Sequence, residues 1–233
     1  GPALAYLIAE DDGDTPATMR EERWIDDVLD SNFGRRLTHL VAIERPGPSH
    51  TVESFAAQAR DGAPPHDNFF REVPVHQQGV CLNMRAVDIA RHTAPAHLLL
   101  ERLAIERPEV TTIGVFDGGN EIGAGAIPWE TVRAAIGGRA PPSIACRVAT
   151  DYQVVAGVSN WGAYALAIGV AALRGTSSHR LPDEDAERRL LVHLAETTNL
   201  VDGATGRREA TVDGLPLETY LQMLAGLRRV VVP

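Results

Sequence analysis

The stretch Val110-Thr111-Thr112-Ile113-Gly114-Val115-Phe116-Asp117-Gly118-Gly119-Asn120-Glu121-Ile122-Gly123-Ala124-Gly125 decides how the chain is read. Val110 to Phe116 is apolar and β-branched, which predicts a short buried strand. The run stops at an acid, Asp117. Two glycines, an amide, a second acid and further glycines follow. Glycine tolerates positive φ and lets a ligand approach the backbone. Successive N–H groups in such a turn form a concave anion site. Asp117 and Glu121 add carboxylates that bind a cation or move a proton. Open α/β sheets place their ligands at the carboxyl ends of strands. The glycines miss the G-x-G-x-x-G frame of dinucleotide sites.

The sequence has no lysine, so all 22 basic residues are arginine. A phosphate-binding P-loop, Schiff-base chemistry and a pyridoxal-phosphate anchor are therefore excluded, and neither nucleotide nor PLP is expected. Arginine's planar fork suits a carboxylate. A formal charge of -9 argues against nucleic-acid and anionic-membrane partners. The 233 residues, 44% of them hydrophobic, suffice for one large or two small domains. Cys81 and Cys146 form neither a metal spacing nor a disulfide framework, and read as buried thiols of a reducing compartment. No apolar run reaches the roughly 18 residues of a membrane span, and no basic signal-peptide region is visible. The expected location is cytoplasmic, or the mitochondrial matrix in a eukaryote, with a small-molecule partner and homo-oligomerisation left open.

Outward from the central stretch, Leu37 to Ile43 is a second strand candidate. It ends at Glu44-Arg45-Pro46-Gly47-Pro48, where a stiff turn again carries an acid and an arginine. Residues 3–9 read as a first helix or strand, residues 10–14 as a solvated acidic loop, and Thr18 to Leu29 as an amphipathic helix. Residues 49–79 read as a long loop with little structure of its own, a candidate lid, with His50, His66 and His76 as loop residues. In Asn83-Met84-Arg85-Ala86-Val87-Asp88, Arg85 and Asp88 either pair on a helix or line a pocket. Ala94 to Glu106 predicts a helix with Leu98, Leu99, Leu103 and Ile105 inward, and Pro128 to Ile136 another. Ser143 to Thr150 is a strand candidate with Asp151 at its end. Ser159-Asn160-Trp161-Gly162 leads into an alanine-rich helix, with Ser159 or Asn160 as N-cap and an anion site at its start. Residues 183–198 predict a helix with Leu190, Leu191 and Leu194 inward. Val201-Asp202-Gly203 and Val212-Asp213-Gly214 read as turns. Pro216 to Leu227 predicts a last helix, and 230–233 a short edge strand. Strands alternating with helices define an α/β fold, a layered domain with a mixed or mostly parallel sheet flanked by helices. Residues 1–36 are expected to be an N-terminal segment and 37–233 the domain.

Six segments together resemble one family. They are Ala42 to Pro48, Asn83 to Ile89, Asp117 to Gly123, Thr150 to Gly162, and Val201 to Gly206 with Val212 to Pro216. Their pattern looks like the carboxy-terminal domain of the D-glutamate cyclases. The sequence departs from it at Phe116, where the pattern leads one to expect glycine, and an acidic Asp-Gly-Pro segment is represented only by Gly1-Pro2. The resemblance implies a hydro-lyase that cyclises D-glutamate to 5-oxo-D-proline with loss of water.

Such a reaction assigns roles to the residues above. Asp117, Glu121 and Asp151 are the candidate catalytic carboxylates. Glu44, Arg45, Asn83, Arg85, Gly118, Gly119, Asn120, Ser159 and Asn160 are the candidate substrate-binding residues. Asp117 and Glu121 are candidate ligands for Mg²⁺ or Mn²⁺. A divalent-metal-dependent hydrolase using the same acids and a non-catalytic binder of an acidic metabolite are the alternatives.

Overall fold

A computed structural model describes residues 17–176 and 183–231. The readings of residues 3–9 and 10–14 and of Val232-Pro233 fall outside these. The chain packs as two compact units, one up to Val154 and one from Val155 onward. The expected α/β class holds: eight α-helices and three strands lie among the described residues.

The first unit opens with α1 (Ala17–Asp30). Its Ile25 and Val28 are buried in a cluster with Leu99 and Leu103 of α4 (Ala96–Glu106). The sheet runs in the order β1 (His39–Ile43), β2 (Thr111–Phe116), β3 (Tyr152–Val155). β1 and β2 are parallel, with His39 opposite Thr111 and Ile43 opposite Val115. Parallel strands need a crossover, and α4 supplies its helix. Within α4 the inward residues are Leu99, Leu100 and Leu103. Ile105, expected inward, points to solvent at 81% exposure.

Residues 49–79 are not the structureless loop that their polar composition suggests. They hold α2 (Val52–Ala57), α3 (His66–Glu72) and a 3₁₀ turn. Thr51 and Ser54 close a reciprocal capping box at the start of α2. Phe55 and Phe69 stack at 4.4 Å, and both meet Trp129 of α5 (Trp129–Ile136) edge-on. These three rings are fully buried and centre a core that includes Val73, Leu82 and Ile144. His66 belongs to α3 and lies edge-on to Phe55. His50 is buried and bonds Ser54 Oγ at 3.0 Å.

Residues 143–150 form no regular strand either. A 3₁₀ turn at Pro142–Ile144 is followed by isolated bridges, Ser49 with Cys146 and Ala149 with Gly123 and Ala124. Asp151 therefore precedes β3 instead of ending a strand.

The second unit contains α6 (Ser159–Leu173), α7 (Glu184–Thr197) and α8 (Leu217–Val231). Tyr220, Leu221 and Leu224 of α8 are buried, as the spacing predicts. Trp161 stacks on Tyr220. The buried residue of α7 is Glu187, which accepts from the hydroxyls of Tyr164 and Tyr220. Leu190, expected inward, is half exposed. Val230 and Val231 continue α8 and are not an edge strand. Asp202 organises the turns before α8 by accepting from the N–H groups of Ala204, Thr205 and Gly214 and the Thr211 hydroxyl.

Candidate active site

Parallel pairing puts the carboxyl ends of β1 and β2 on one edge of the sheet. Glu44 directly follows β1, and its N–H donates to Val115 O at 3.0 Å. Asp117 directly follows β2. Glu44 has φ +52, a left-handed conformation that costs a non-glycine residue about 1–3 kcal/mol. The chain then turns to run against the glycine-rich segment. Arg45 O accepts from Ile122 N at 2.8 Å, and Asn120 O accepts from Gly47 N at 3.0 Å. Pro46 and Glu121 form an antiparallel bridge.

Three carboxylates meet as a result. Glu44, Asp117 and Glu121 each offer an oxygen, and these oxygens lie within 4.8 Å of one another. Glu44 is exposed, Asp117 half-buried and Glu121 buried. Glu121 is anchored from below by its own turn: Gly118 N–H reaches Oε1 at 3.1 Å, and Gly119 N–H reaches Oε2 at 2.7 Å. Gly119 has φ +92, which glycine adopts without strain. The N–H groups expected to receive a ligand anion are thus already turned on Glu121. Burial, then the charges of Glu44 and Asp117, push the Glu121 carboxyl up to about 7 against the pull of those donors. A carboxyl poised there takes or gives a proton at neutral pH.

Asn120 is buried beside it and donates Nδ2 to Leu82 O at 2.9 Å. The Asn83–Val87 turn lies next along that segment. Asn83 Oδ1 accepts from the backbone N–H groups of Arg85 and Val87, and Arg85 is exposed. Asp88 accepts from Ala90 N, and among the described residues it forms no ion pair with Arg85. Met84, which the sequence did not single out, has its sulfur against Gly118. Arg45 is half-buried.

Asp151 lies away from these three acids, at the other end of β2. Asp151 is exposed and accepts from Thr112 N at 2.7 Å and Thr112 Oγ1 at 2.8 Å, at the start of β2. Those bonds hold its carboxyl below the ordinary range. Ser159 and Asn160 are the first two residues of α6, whose N-cap is Val158 with no side-chain cap. The Asn160 side chain bonds Tyr220. Cys81 and Cys146 are buried and free, and burial pushes the Cys81 thiol up to about 11 and Cys146 higher still. Neither is a nucleophile near neutral pH. Phe116, where the family pattern suggests glycine, is buried with its ring against Gly123. Among the described residues no helix is long and apolar enough to cross a membrane.

The fold and this site define an α/β protein with three carboxylates gathered at the carboxyl edge of a parallel strand pair. A family profile described as D-glutamate cyclase-like, C-terminal matches residues 71–228, and the chain belongs to that family. It is also similar to the human protein named D-glutamate cyclase, mitochondrial, at 32% identity over 214 residues. That alignment covers 82% of this chain and 30% of the human protein. The chain therefore spans about a third of the curated relative it matches.

Proposed function

We propose that this chain is a lyase that closes D-glutamate to 5-oxo-D-proline at Glu44, Asp117 and Glu121. The observation that carries the reading is the Glu121 carboxyl, buried among two further acids and poised at about 7. The family membership and the name of the human relative support the choice of substrate.

Ring closure joins the α-nitrogen to the carbon of the γ-carboxylate. The ammonium gives up two protons, the γ-carboxylate gives up one oxygen, and together these leave as water. A single carboxyl near pH 7 serves both ends of this transfer. Glu121 as carboxylate takes a proton from nitrogen, and in its protonated form delivers it to the departing oxygen. Closure is intramolecular, so holding the substrate folded supplies much of the acceleration. Arg45, next to Glu44, and Arg85, next to Met84, are the guanidinium groups assigned to the substrate carboxylates.

The donor set fits a hard divalent cation such as Mg²⁺ or Mn²⁺, which takes carboxylate oxygens. Each Glu121 oxygen keeps a second lone pair beyond the N–H bond it accepts, so Asp117 and Glu121, with Glu44, are the residues that would hold it. A cation there would polarise the γ-carboxylate.

The test is incubation of the protein with D-glutamate and with L-glutamate, with and without a chelator, and chiral analysis of the product by mass spectrometry. 5-Oxo-D-proline from the wild type, lost about 10²-fold or more in Glu121→Gln, is the expected result. Turnover of a phosphate ester and not of D-glutamate would replace this reading with the metal-dependent hydrolase.

A further inference from the structure

Asn120 is 6% exposed. Its Nδ2 faces the Leu82 carbonyl, which can only accept, so this bond fixes the orientation of the amide. The Oδ1 on the other side is buried and has no hydrogen-bond partner. Native structures keep few such acceptors, because each forfeits the bond it had with water. The orphan is aimed at the Gly118 turn. A methyl group built on Gly118 would lie 2.9 Å from Asn120 Oδ1, 3.1 Å from Glu121 Oε1 and 2.7 Å from Met84 Sδ. Two oxygens of the acidic site thus face the same side of Gly118, where the Met84 thioether also lies. That sulfur has no hydrogen to donate. Met84 is 39% exposed, and its unbranched side chain turns about three bonds. It is a removable cover.

We propose that Asn120 Oδ1 and Glu121 Oε1 together hold the ammonium group of an amino-acid ligand, admitted when the Met84 side chain swings aside. The inference takes its ligand from the cyclase reading and adds the atoms that choose an amino acid over a plain dicarboxylate. An ammonium brings N–H donors that satisfy the stranded amide oxygen. Its charge answers the three carboxylates, to which the neutral amide adds none. The same contact places the nitrogen beside the carboxyl that removes its proton.

The test is calorimetric titration of the wild type, Asn120→Leu and Gly118→Ala with D-glutamate, with glutarate and with Mg²⁺ alone. Product is measured by mass spectrometry after each run, and folding is checked by thermal melting. Gly118→Ala puts a methyl group against the same two oxygens and the Met84 sulfur without removing the Asn120 amide, so it carries the test where Asn120→Leu fails to fold. The wild type is expected to prefer D-glutamate over glutarate by about tenfold or more. Each variant should lower that preference to about twofold or less, with D-glutamate affinity falling more than glutarate affinity. A preference that survives in the variants overturns the proposal, as does a wild type that fails to bind D-glutamate. A variant that weakens Mg²⁺ and leaves the preference intact makes Oδ1 a metal ligand and also overturns it. Ammonium preference without product would sink the cyclase reading alone, and product with an unchanged preference in the variants would sink the ammonium subsite alone.

Discussion

Asp117 and Asp151 stand at opposite ends of one strand. Asp117 follows Phe116, the last residue of β2, while Asp151 binds the N–H and hydroxyl of Thr112 near its first. Five residues of extended chain separate Thr112 from Asp117, roughly 16 Å at about 3.3 Å per residue. Two acids that look alike in the sequence therefore have different work. Asp117 meets Glu44 and Glu121, and Asp151 fastens the entry to β3 onto β2.

Asp151→Ala is accordingly expected to act on stability. It removes an acceptor from two donors of Thr112, a loss of about 1–2 kcal/mol. Thermal melting should show the drop, and the rate of D-glutamate turnover at 25 °C should stay within about twofold of the wild type. A rate loss of 10²-fold with an unchanged melting temperature would return Asp151 to the chemistry.

Asp117→Asn should do the reverse. The fold should persist, because Asp117 is half-buried at a turn, and cyclisation should fall by about 10²-fold or more. The Glu121 carboxyl gives a second readout. Asp117 is one of the two charges that raise it, so neutralising Asp117 should lower the Glu121 pKa below its wild-type value of about 7 in cation-free protein. Carbon-detected NMR titration of the glutamate carboxyls follows this directly. No downward shift would mean that the two groups do not share a site.

The central strand, its acidic turn and the helices α4 and α8 were legible because each announces itself locally, through a β-branched run ending at Asp117 or a 3.6-residue stripe such as Tyr220, Leu221 and Leu224. The third carboxylate of the site was legible only as an acid after a strand. Its meeting with Glu121 needs the parallel register of β1 on β2 and the reversal at Glu44, both set over some 75 residues of sequence. The helices of residues 49–79 escaped notice for a related reason. Phe55 and Phe69 are isolated aromatics in polar sequence, and they gain meaning only against Trp129. Residues 143–150 are apolar enough for a strand, but their partners are scattered single bridges, so no ladder forms. Glu187 shows the limit of reading faces from hydropathy. The buried position of α7 is an acid held by two tyrosines, and Leu190 is left outside.

His50 predicts a loss of stability on mild acidification. It is buried, and burial, then the charges of Arg60 and Arg147, lower its pKa to about 4 from 6.5. Between those values the unfolded chain binds a proton that the folded chain refuses, so unfolding becomes easier as the pH falls. The stabilisation is complete above pH 6.5, declines below it, and is gone near pH 4. At about 1.4 kcal/mol per pH unit it amounts to as much as about 3 kcal/mol. Urea unfolding of the wild type and His50→Gln across pH 7 to 4 isolates the contribution, because glutamine does not titrate. The wild type should lose more stability than the variant across that window, and parallel curves would mean that His50 is free to take a proton in the folded state.

Asp202 predicts a different acid sensitivity, at lower pH and in the second unit. Burial raises its pKa, but the N–H groups of Gly214 and Thr205, the Thr211 hydroxyl and the N–H of Ala204 outweigh that effect and hold it at about 2. The folded value lies below the ordinary 3.8, so the stabilisation is present above about pH 4 and is lost as the pH falls through 2. Asp202→Ala strands four donors at once and should destabilise the protein by about 3 kcal/mol or more. Asp202→Asn keeps an acceptor oxygen and the shape but not the charge, so it should recover part of the loss and remove the response between pH 4 and 2. Amide hydrogen exchange at Ala204, Thr205 and Gly214 reports on those bonds separately from global unfolding. Unchanged protection at these three amides in Asp202→Ala would show that the turns hold without the carboxylate.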